Sequence, residues 1–529
     1  MYKVIATDGM APAGVAVFDE CPEVELEVRK GVTAEELLEL IPEYDGLIVR
    51  SATKVTPEVI AKGTKLKVIG RAGVGVDNVD LKAASLRGIV VMNTPEANTI
   101  STAEHTVAMM FSLARKTPQA DASMKDGKWE KKKFAGVELY GKTLGVIGFG
   151  RIGRWVARIS NAVGMHVLAF DPMVSGDRVR EAGATPATLD EIFAQSDVIT
   201  VHTPVNNETR NLVRAETLAK MKDGVRVINC ARGGIINEDD LCDALESGKV
   251  AGAAFDVYPK EPNENARLLK YEQLVLTPHI AASTDEAQSK VGIEIARQIC
   301  EFLSTGTITN AVNVAAITPQ LRQELLPFVE LSSALGKIVA QLAAGKVKQL
   351  QVSYEGALEA IDVQPITSAL LCGVLSYNTE GVNQVNARLL AEESGLKVSE
   401  TKTAHSVNYA NYIKLTASCE KGEEVEIGAT IFGEDRQHPR IVRINHSHVD
   451  AVPEGHLLIV PHVDQPGLLG KVGTMLGDHS INISRMTCDR LKPGASNVGV
   501  YTTDNPIPEE VVAQIRGIDG VLDAHRIVL

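Results

Sequence analysis

Short apolar runs alternate with amphipathic or turn-forming stretches from the beginning of the chain. The first four runs are “KVIATD”, “GLIVRS”, “LKVIGRAG” and “IVVMNT”. This alternation predicts βαβ units and a parallel sheet. Further along, Ser101 and Glu104 have the spacing of a capping box, which predicts the start of an apolar helix that continues through Arg115.

A second series of β-rich runs follows that helix. The runs are “KTLGVIGFG”, “HVLAFD”, “DVITVHTP”, “VRVINCA”, “VAGAAFDV” and “LVLTPHI”. Strands at these intervals are typical of a doubly wound dinucleotide-binding fold. Ser283 and Glu286 then predict another capping box and a helix to about Leu303, before Gly306. If this helix packs on the first series, the second unit is an insertion in the first, and a ligand cleft lies between two α/β lobes.

The rest of the chain predicts two further units. For the first unit, the sequence pattern predicts mixed α/β structure but no definite order of elements. The second has the order βαββαβ, a ferredoxin-like layout, from “HLLIVPHVD” to “AHRIVL”. The predicted domains are 1–97 with 283–308, then 98–282, 318–453 and 456–529.

The composition limits the kind of partner. With 54 basic and 67 acidic residues the net charge is −13, which disfavours non-specific binding to nucleic acid. The seven cysteines form no CxxC pair, so we predict neither disulfides nor a metal site, and a reducing compartment. The N-terminus lacks a signal-peptide pattern, and no apolar stretch reaches the ~20 residues of a membrane span. We therefore expect a cytoplasmic protein that binds neither nucleic acid nor a membrane.

A glycine-rich turn carries the first candidate chemistry. Gly148, Gly150 and Gly153 form GxGxxG between an apolar strand and an amphipathic helix. There the glycines allow a tight turn and close backbone approach to a pyrophosphate, which the helix N-terminus stabilises. Asp171 ends the next predicted strand, where a carboxylate accepts hydrogen bonds from a ribose and repels the additional phosphate of NADP. The pattern predicts NAD as cofactor; the alternative is that the glycines only shape a turn.

A second set of candidate chemical residues consists of polar side chains that follow separate strands. Arg232, Glu261 and His279 come after “VRVINCA”, “FDVY” and “LVLTP”. Ligands of open α/β sheets bind beyond the carboxyl ends of the strands, so we expect these side chains to converge. In this interpretation His279 takes the hydroxyl proton of a secondary alcohol as hydride leaves for the nicotinamide, Glu261 orients the imidazole, and Arg232 holds a substrate carboxylate. Each residue alone is more typical of a turn or a surface loop, and only their joint placement favours catalysis.

These motifs resemble those of the D-isomer-specific 2-hydroxyacid dehydrogenases. The resemblance rests on “GVIGFGRIG”, “NCARGGIINEDDL”, “FDVYPKEP” and “LTPHIAAST”. The motifs “VRSATKVT”, “GRAGVGVDNVDL”, “VMNTPEANTISTAEH” and “ASMKDGKWEKKKF” are similar to those of members that oxidise 3-phospho-D-glycerate to 3-phosphohydroxypyruvate, the first step of L-serine biosynthesis. The implied α/β fold has a Rossmann NAD domain (98–282, the NAD lobe) inserted in a flavodoxin-like substrate domain (1–97 and 283–308, the substrate lobe). A mixed α/β intervening domain (318–453, the third domain) and an ACT domain (456–529) follow.

The resemblance also implies site residues. Beyond the glycines, the implied cofactor contacts are Arg151, Ile152, Asp171, Thr203, Cys230, Ala231, Asp256 and Ala282. Arg50 and Arg71, at strand ends of the substrate lobe, are expected to hold the substrate phosphate, with Lys131 supplied by a neighbouring subunit of a homodimer or homotetramer. The implied effector is L-serine, bound by the ACT residues His462, Asp464, Gly467, Leu468 and Asn482.

Other interpretations remain open from the sequence. The substrate of such a dehydrogenase could be another 2-hydroxy acid, such as 2-hydroxyglutarate, or its partner glyoxylate. An NAD-sensing corepressor-like binding protein shares the fold. The ACT domain could serve dimerisation alone, and Cys230 fits a packed small side chain better than a nucleophile.

Overall fold

The computed structural model describes residues 1–314, 319–343, 345–406, 408–420, 424–433, 438–488 and 496–529, with the side chains of 319–323 outside that description. Its four sheets follow one another along the chain. Two are parallel, the third is mixed and the fourth is antiparallel, which confirms the α/β fold class.

The substrate lobe contains a five-stranded parallel sheet. Its elements are β1 (Tyr2–Ala6), α1 (Pro12–Asp19), β2 (Val24–Val28), α2 (Ala34–Leu40), a 3-10 turn (Ile41–Glu43), β3 (Gly46–Val49), α3 (Pro57–Lys62), β4 (Val68–Arg71), α4 (Leu81–Leu86) and β5 (Val90–Asn93). The strand order is β2-β1-β3-β4-β5. The sequence predicted four of these strands and missed β2, an edge strand whose “VELEV” pattern keeps acidic side chains on the surface.

The NAD lobe contains a seven-stranded parallel sheet in the order β12-β11-β10-β9-β6-β7-β8. Its elements are α5 (Thr99–Arg115), α6 (Thr117–Lys125), β6 (Thr143–Ile147), α7 (Arg151–Ala162), β7 (His166–Phe170), α8 (Gly176–Glu181), β8 (Thr185–Pro186), α9 (Leu189–Gln195), β9 (Val198–Val201), α10 (Ala215–Lys220), β10 (Val225–Asn229), α11 (Glu238–Glu246), β11 (Val250–Phe255), a 3-10 turn (Leu268–Lys270) and β12 (Leu274–Leu276). All six predicted strands are present, and β8 adds a two-residue edge.

The two predicted capping boxes are wrong. Helix α5 follows Asn98, so Ser101 lies inside its first turn, where its hydroxyl bonds that of Thr284 at 2.8 Å. Helix α12 (Asp285–Thr305) is capped by Thr284, which accepts from the N–H of Ala287, rather than by Ser283. Neighbouring hydroxyl residues offer the same capping chemistry, so the pattern does not decide which one serves.

Helix α12 returns the chain to the substrate lobe. A Cβ at Gly70 of β4 would lie 2.6 Å from Cδ1 of Ile299 and 2.8 Å from Cγ1 of Ile295, so the helix lies directly on the sheet. A Cβ at Gly14 of α1 would lie 2.7 Å from the carbonyl carbon of Gly292, so the two helices cross at glycines. The substrate lobe is thus built from both ends of the 1–305 segment, with a cleft between it and the NAD lobe.

The third domain has a six-stranded mixed sheet in the order β14-β13-β15-β16-β17-β18. Its elements are α13 (Pro319–Leu342), β13 (Val347–Gly356), α14 (Gln364–Leu375), α15 (Ala387–Glu393), β14 (Lys397–Thr403), β15 (Asn411–Cys419), β16 (Glu424–Phe432), β17 (His438–Ile444) and β18 (Ser447–Ala451). Among the described helices, α13 alone has a segment, Glu324–Leu342, long and apolar enough to span a bilayer, and more than half of that segment is buried inside the protein. Burial of this kind is typical of a core helix.

The ACT domain has the predicted βαββαβ order. Its elements are β19 (His456–Val463), α16 (Leu468–Asp478), β20 (Ile483–Cys488), β21 (Ser496–Thr503), α17 (Glu509–Arg516) and β22 (His525–Val528), in the sheet order β20-β21-β19-β22. Leu458 and Val460 face its own helices, whereas Leu457 and Ile459 join the core of the third domain. The side-chain amide of Gln341 in α13 also bonds both backbone groups of Val528. The sheet is therefore covered on both faces.

Candidate active site

The glycine-rich turn between β6 and α7 is built by close backbone contacts. Gly148 has φ 93°, and a Cβ there would lie 2.5 Å from the carbonyl oxygen of His202. A Cβ at Gly153 would collide with the carbonyl oxygen of Gly148. No described atom lies within 4 Å of a Cβ placed on Gly150, which leaves room for a ligand at the start of α7. The site therefore fits a pyrophosphate at a helix N-terminus.

Substitution of these glycines separates folding from cofactor binding. We expect Gly153→Ala to lower the melting temperature by several degrees, since the added methyl group meets backbone, and to raise the KM for NAD. Gly150→Ala is the matched control, since its methyl group enters open space. It should keep the wild-type melting temperature and still raise the KM for NAD at least tenfold, measured by thermal unfolding and initial rates. An unchanged KM in Gly150→Ala would contradict a dinucleotide at this turn.

Polar groups at the ends of β7 and β9 surround the turn. Asp171 accepts hydrogen bonds from the N–H groups of Phe149 and Met173, both at 2.8 Å. Nδ1 of His202 and Oγ1 of Thr203 are buried and have no hydrogen-bond partner among the described residues. Burial lowers the pKa of His202 to about 4, so the ring is neutral. Two unpartnered polar atoms beside the turn fit a polar ligand such as NAD. The sequence did not single out His202, although it directly follows a strand.

Arg151 and Ile152 begin α7, and only Arg151 is strongly exposed. Its guanidinium pairs with Glu96 at 3.0 Å. Ile152 is half-buried and packs on the core of the NAD lobe, as does Ala231. These positions line the same sheet edge as the turn, and their contacts to the cofactor stay predictions.

His279 and Glu261 are in direct contact. Nδ1 of His279 lies 2.8 Å from Oε2 of Glu261, whose other oxygen accepts from the N–H of Tyr258 at 3.1 Å. Both side chains are about two-fifths exposed, so a ligand can reach them. Because Nδ1 is engaged by the carboxylate, Nε2 is the nitrogen available to a substrate. His279 has φ 54°, a left-handed conformation fixed by the loop that carries it.

The loop of His279 is held by a buried carboxylate. Asp256 at the end of β11 has no exposed surface. It accepts from Oγ1 of Thr277 at 2.6 Å, the N–H of Ile280 at 2.8 Å and the N–H of Ala281 at 2.9 Å. Burial raises the pKa of Asp256, but hydrogen bonds from His105 and from these groups lower it below its usual value, so it stays ionised. The contact predicted between Asp256 and the cofactor stays a prediction.

The contact predicted between Cys230 and the cofactor also stays a prediction. Its side chain is buried in the core of the NAD lobe, and burial raises the pKa of its thiol to about 12. It packs as a small apolar side chain and stays protonated, which excludes a thiolate nucleophile. Ala282 lies at the end of the His279 loop, where its carbonyl oxygen accepts from the side chain of Gln288 at 2.9 Å.

Arginines from both lobes interact electrostatically with one another. Burial and the charges of Arg232 and Arg50 lower the pKa of Arg71 to about 10, so the three cations share one region and Arg71 stays charged at neutral pH. Nε of Arg71 is buried without a hydrogen-bond partner among the described residues. Three neighbouring cations with an unused donor favour an anionic ligand.

The turn of Arg50 is held on two sides. Asp8 accepts from the N–H of Arg50 at 2.7 Å and from the hydroxyl of Thr53 at 2.6 Å. The amide of Asn78 donates to the carbonyl oxygens of Arg50 and Thr53 at 2.7 and 2.6 Å. Neither Asp8 nor Asn78 was singled out from the sequence, because their partners are distant in the chain.

Arg232 spans the cleft. Its Nη1 donates to the carbonyl oxygen of Ala231 at 2.7 Å, and its Nε pairs with Asp77 of the substrate lobe at 3.1 Å.

Lys131 is exposed and makes no hydrogen bond or ion pair within the described ranges of this chain. Its assignment to a neighbouring subunit stays a prediction. No group of three or more metal-ligating side chains occurs in the described part of the chain.

The predicted effector residues separate into core and surface positions. His462 is buried, with Nδ1 2.9 Å from the carbonyl oxygen of Val460, and Leu468 is buried in the core of the ACT domain. Both side chains are buried in this chain, and their contacts to the effector stay predictions. Gly467 starts α16 at φ 82° with open space around it, and the amide of Asn482 donates to Asp504 at 2.6 Å. Asp464, on the turn before Gly467, is half-buried.

Comparison with known families agrees with this geometry. The model of the D-isomer specific 2-hydroxyacid dehydrogenase NAD-binding domain matches residues 107–281. The fold and the site therefore define the class as an NAD-binding 2-hydroxyacid dehydrogenase, and the predicted cofactor is confirmed as NAD. Models of the D-3-phosphoglycerate dehydrogenase intervening domain and of the ACT domain match residues 324–445 and 456–520.

Full-length relatives narrow the class. A D-3-phosphoglycerate dehydrogenase of Archaeoglobus fulgidus is 44% identical over 510 residues, covering 96% of each chain. One from Synechocystis is 41% identical over 531 residues, covering 100% of this chain and 95% of that protein. The chain belongs to the D-3-phosphoglycerate dehydrogenase family.

Solved structures match the fold over a shorter length. A glyoxylate reductase from Paecilomyes thermophila is 30% identical with a TM-score of 0.54, covering 59% of this chain and 98% of that one. A D-lactate dehydrogenase from Aquifex aeolicus, in complex with NAD and lactic acid, is 29% identical with a TM-score of 0.52, covering 58% of this chain and 98% of that one.

Proposed function

We propose that the protein oxidises 3-phospho-D-glycerate to 3-phosphohydroxypyruvate with NAD. The observation that carries this proposal is the contact between His279 and Glu261, in a chain whose Arg71 lies within range of the charges of Arg50 and Arg232. The substrate has an anionic group at each end and a hydroxyl between them. A site with cations from both lobes and one imidazole matches that distribution of charge.

The chain's own residues supply binding and proton transfer. Arg232 holds the substrate carboxylate, and its charge stabilises the oxygen that becomes a carbonyl. Nε2 of His279 takes the proton of the C2 hydroxyl, and Glu261 at Nδ1 stabilises the resulting imidazolium. NAD, held at the glycine-rich turn, would supply the hydride acceptor. In the reverse direction His279 returns the proton.

Arg71 and Arg50 are assigned to the phosphate. Arg71 is largely buried, with a donor that no described residue uses, and the turn of Arg50 is fixed by Asp8 and Asn78. A fixed site favours a ligand with a defined distance between its anionic ends. Glyoxylate has no second anionic group and the corepressor-like role gains no support from a second anion site. 2-Hydroxyglutarate carries two carboxylates, so the assay below separates it from the phosphorylated acid.

The proposal also includes regulation by the ACT domain and assembly into an oligomer. The ACT domain is assigned to feedback by L-serine, with the exposed turn at Gly467 and the surface residue Asn482 as the contacts. A dimer or tetramer would bring Lys131 to a neighbouring active site. The cytoplasm is the compartment where this biosynthetic reaction would take place.

Initial rates test the proposal directly. Purified enzyme is assayed with 3-phospho-D-glycerate, D-glycerate, D-lactate and 2-hydroxyglutarate, with NAD or NADP, and with or without L-serine. We expect the highest kcat/KM for 3-phospho-D-glycerate with NAD, and inhibition by L-serine. A higher kcat/KM for another acid would reject the substrate, and absence of NADH formation with every acid would favour a binding protein.

A further inference from the structure

The carboxylate of Asp77 is paired with Arg232, the residue assigned above to the substrate carboxylate. Its Oδ2 lies 3.1 Å from Nε of Arg232. Asp77 belongs to the loop between β4 and α4 in the substrate lobe, whereas Arg232 follows β10 in the NAD lobe. The ion pair therefore crosses the cleft at the point where the substrate is expected.

While this ion pair exists, few N–H groups of the Arg232 guanidinium are free to bind a substrate. Nη1 is used by the carbonyl oxygen of Ala231 at 2.7 Å, and Nε is used by Asp77. Nη2 lies against Gly75, where a Cβ would collide with it. A carboxylate that binds this guanidinium side-on, through Nε and Nη2, must therefore displace Asp77 from Nε.

Asp77 is free to leave. Its side chain is 80% exposed, and within the described ranges Arg232 is the one residue to which its carboxylate is hydrogen-bonded. Rotation of the side chain would return the carboxylate to water at small cost, because a pair this exposed is weak. The same exposure makes its removal harmless to folding.

We propose that Asp77 is an internal competitor that holds Arg232 until the substrate carboxylate takes its place. The inference rests on the proposed function, because it needs Arg232 to bind the substrate. It assigns to Asp77 control of substrate affinity without a part in the chemical step. Loss of the carboxylate then lowers KM and leaves kcat unchanged.

The test is the split between KM and kcat in Asp77→Asn. We expect the KM for 3-phospho-D-glycerate to fall about fivefold, which corresponds to about 1 kcal/mol, the upper end for an exposed ion pair. Asp77→Glu keeps a carboxylate and should stay near the wild-type KM. Asp177→Asn is the charge-matched control, since it removes a surface carboxylate paired with Arg180 at 2.7 Å in the NAD lobe.

Two results would overturn the inference. A fall in kcat would show that Asp77 positions Arg232 for the reaction, and an unchanged KM would show that the two carboxylates do not compete. The outcome is separate from the proposed function. Wild-type rates identify the substrate, and the ratio of variant to wild type is measured on whichever 2-hydroxy acid the wild type oxidises.

Discussion

Replacement of His279 by glutamine should lower kcat about a thousandfold with 3-phospho-D-glycerate and NAD. A positioned general base contributes about 10²- to 10⁴-fold, and His279 is the group in contact with Glu261 that leaves a nitrogen for the substrate hydroxyl. Glutamine keeps a polar side chain of similar reach but takes up no proton. The measurement is the steady-state rate of NADH formation at saturating substrate.

Two controls separate a loss of proton transfer from a loss of folding or of cofactor binding. His446→Gln changes an exposed histidine of the third domain and should keep the wild-type rate. Titration with NADH should give the same affinity in His279→Gln as in the wild type. We expect a smaller loss from Glu261→Gln, because the imidazole remains but its protonated form loses the adjacent charge. Retention of more than a tenth of the rate in His279→Gln would reject its role as base.

Replacement of Arg71 by methionine should lower kcat/KM for 3-phospho-D-glycerate by about 10- to 100-fold. A hydrogen bond to a charged group contributes about 1.5–3 kcal/mol, and each 1.4 kcal/mol is a factor of ten. Methionine fills a similar volume, so the buried position of Arg71 remains packed. The measurement is kcat/KM for the phosphorylated acid.

D-glycerate provides the matched substrate, since it differs only by the absence of the phosphate. Its kcat/KM should change less than threefold in Arg71→Met, because the lost charge has no partner on that molecule. Arg71→Lys should restore part of the loss as a point charge. An equal loss for both acids would show that Arg71 supports the cleft generally and would remove the phosphate assignment.

The placement of the candidate site residues could be predicted from the sequence because the geometry of parallel sheets constrains it. Arg232, Glu261 and His279 follow separate strands, and the carboxyl ends of those strands share one edge. The turn at Gly148 was equally predictable from the sequence. A position with positive φ that touches a neighbouring strand requires glycine, and the glycine is visible in the sequence.

Contacts between distant side chains were less predictable. Asp256 supports the His279 loop through backbone N–H groups, and Asp77 meets Arg232 across 155 residues of chain. No local pattern records either contact. Edge strand β2 was missed for a different reason. Its “VELEV” alternates apolar and acidic residues, whereas the predicted strands are continuous apolar runs.

The shared core beneath the ACT sheet has a consequence for shortened forms of the protein. Leu457, Ile459 and Ile527 are packed with residues of α13 and of the third-domain sheet. A polypeptide that stopped at residue 455 would present this apolar wall to water and would self-associate. The two C-terminal domains should therefore be lost or retained together, and a soluble truncated enzyme has to end before α13 begins.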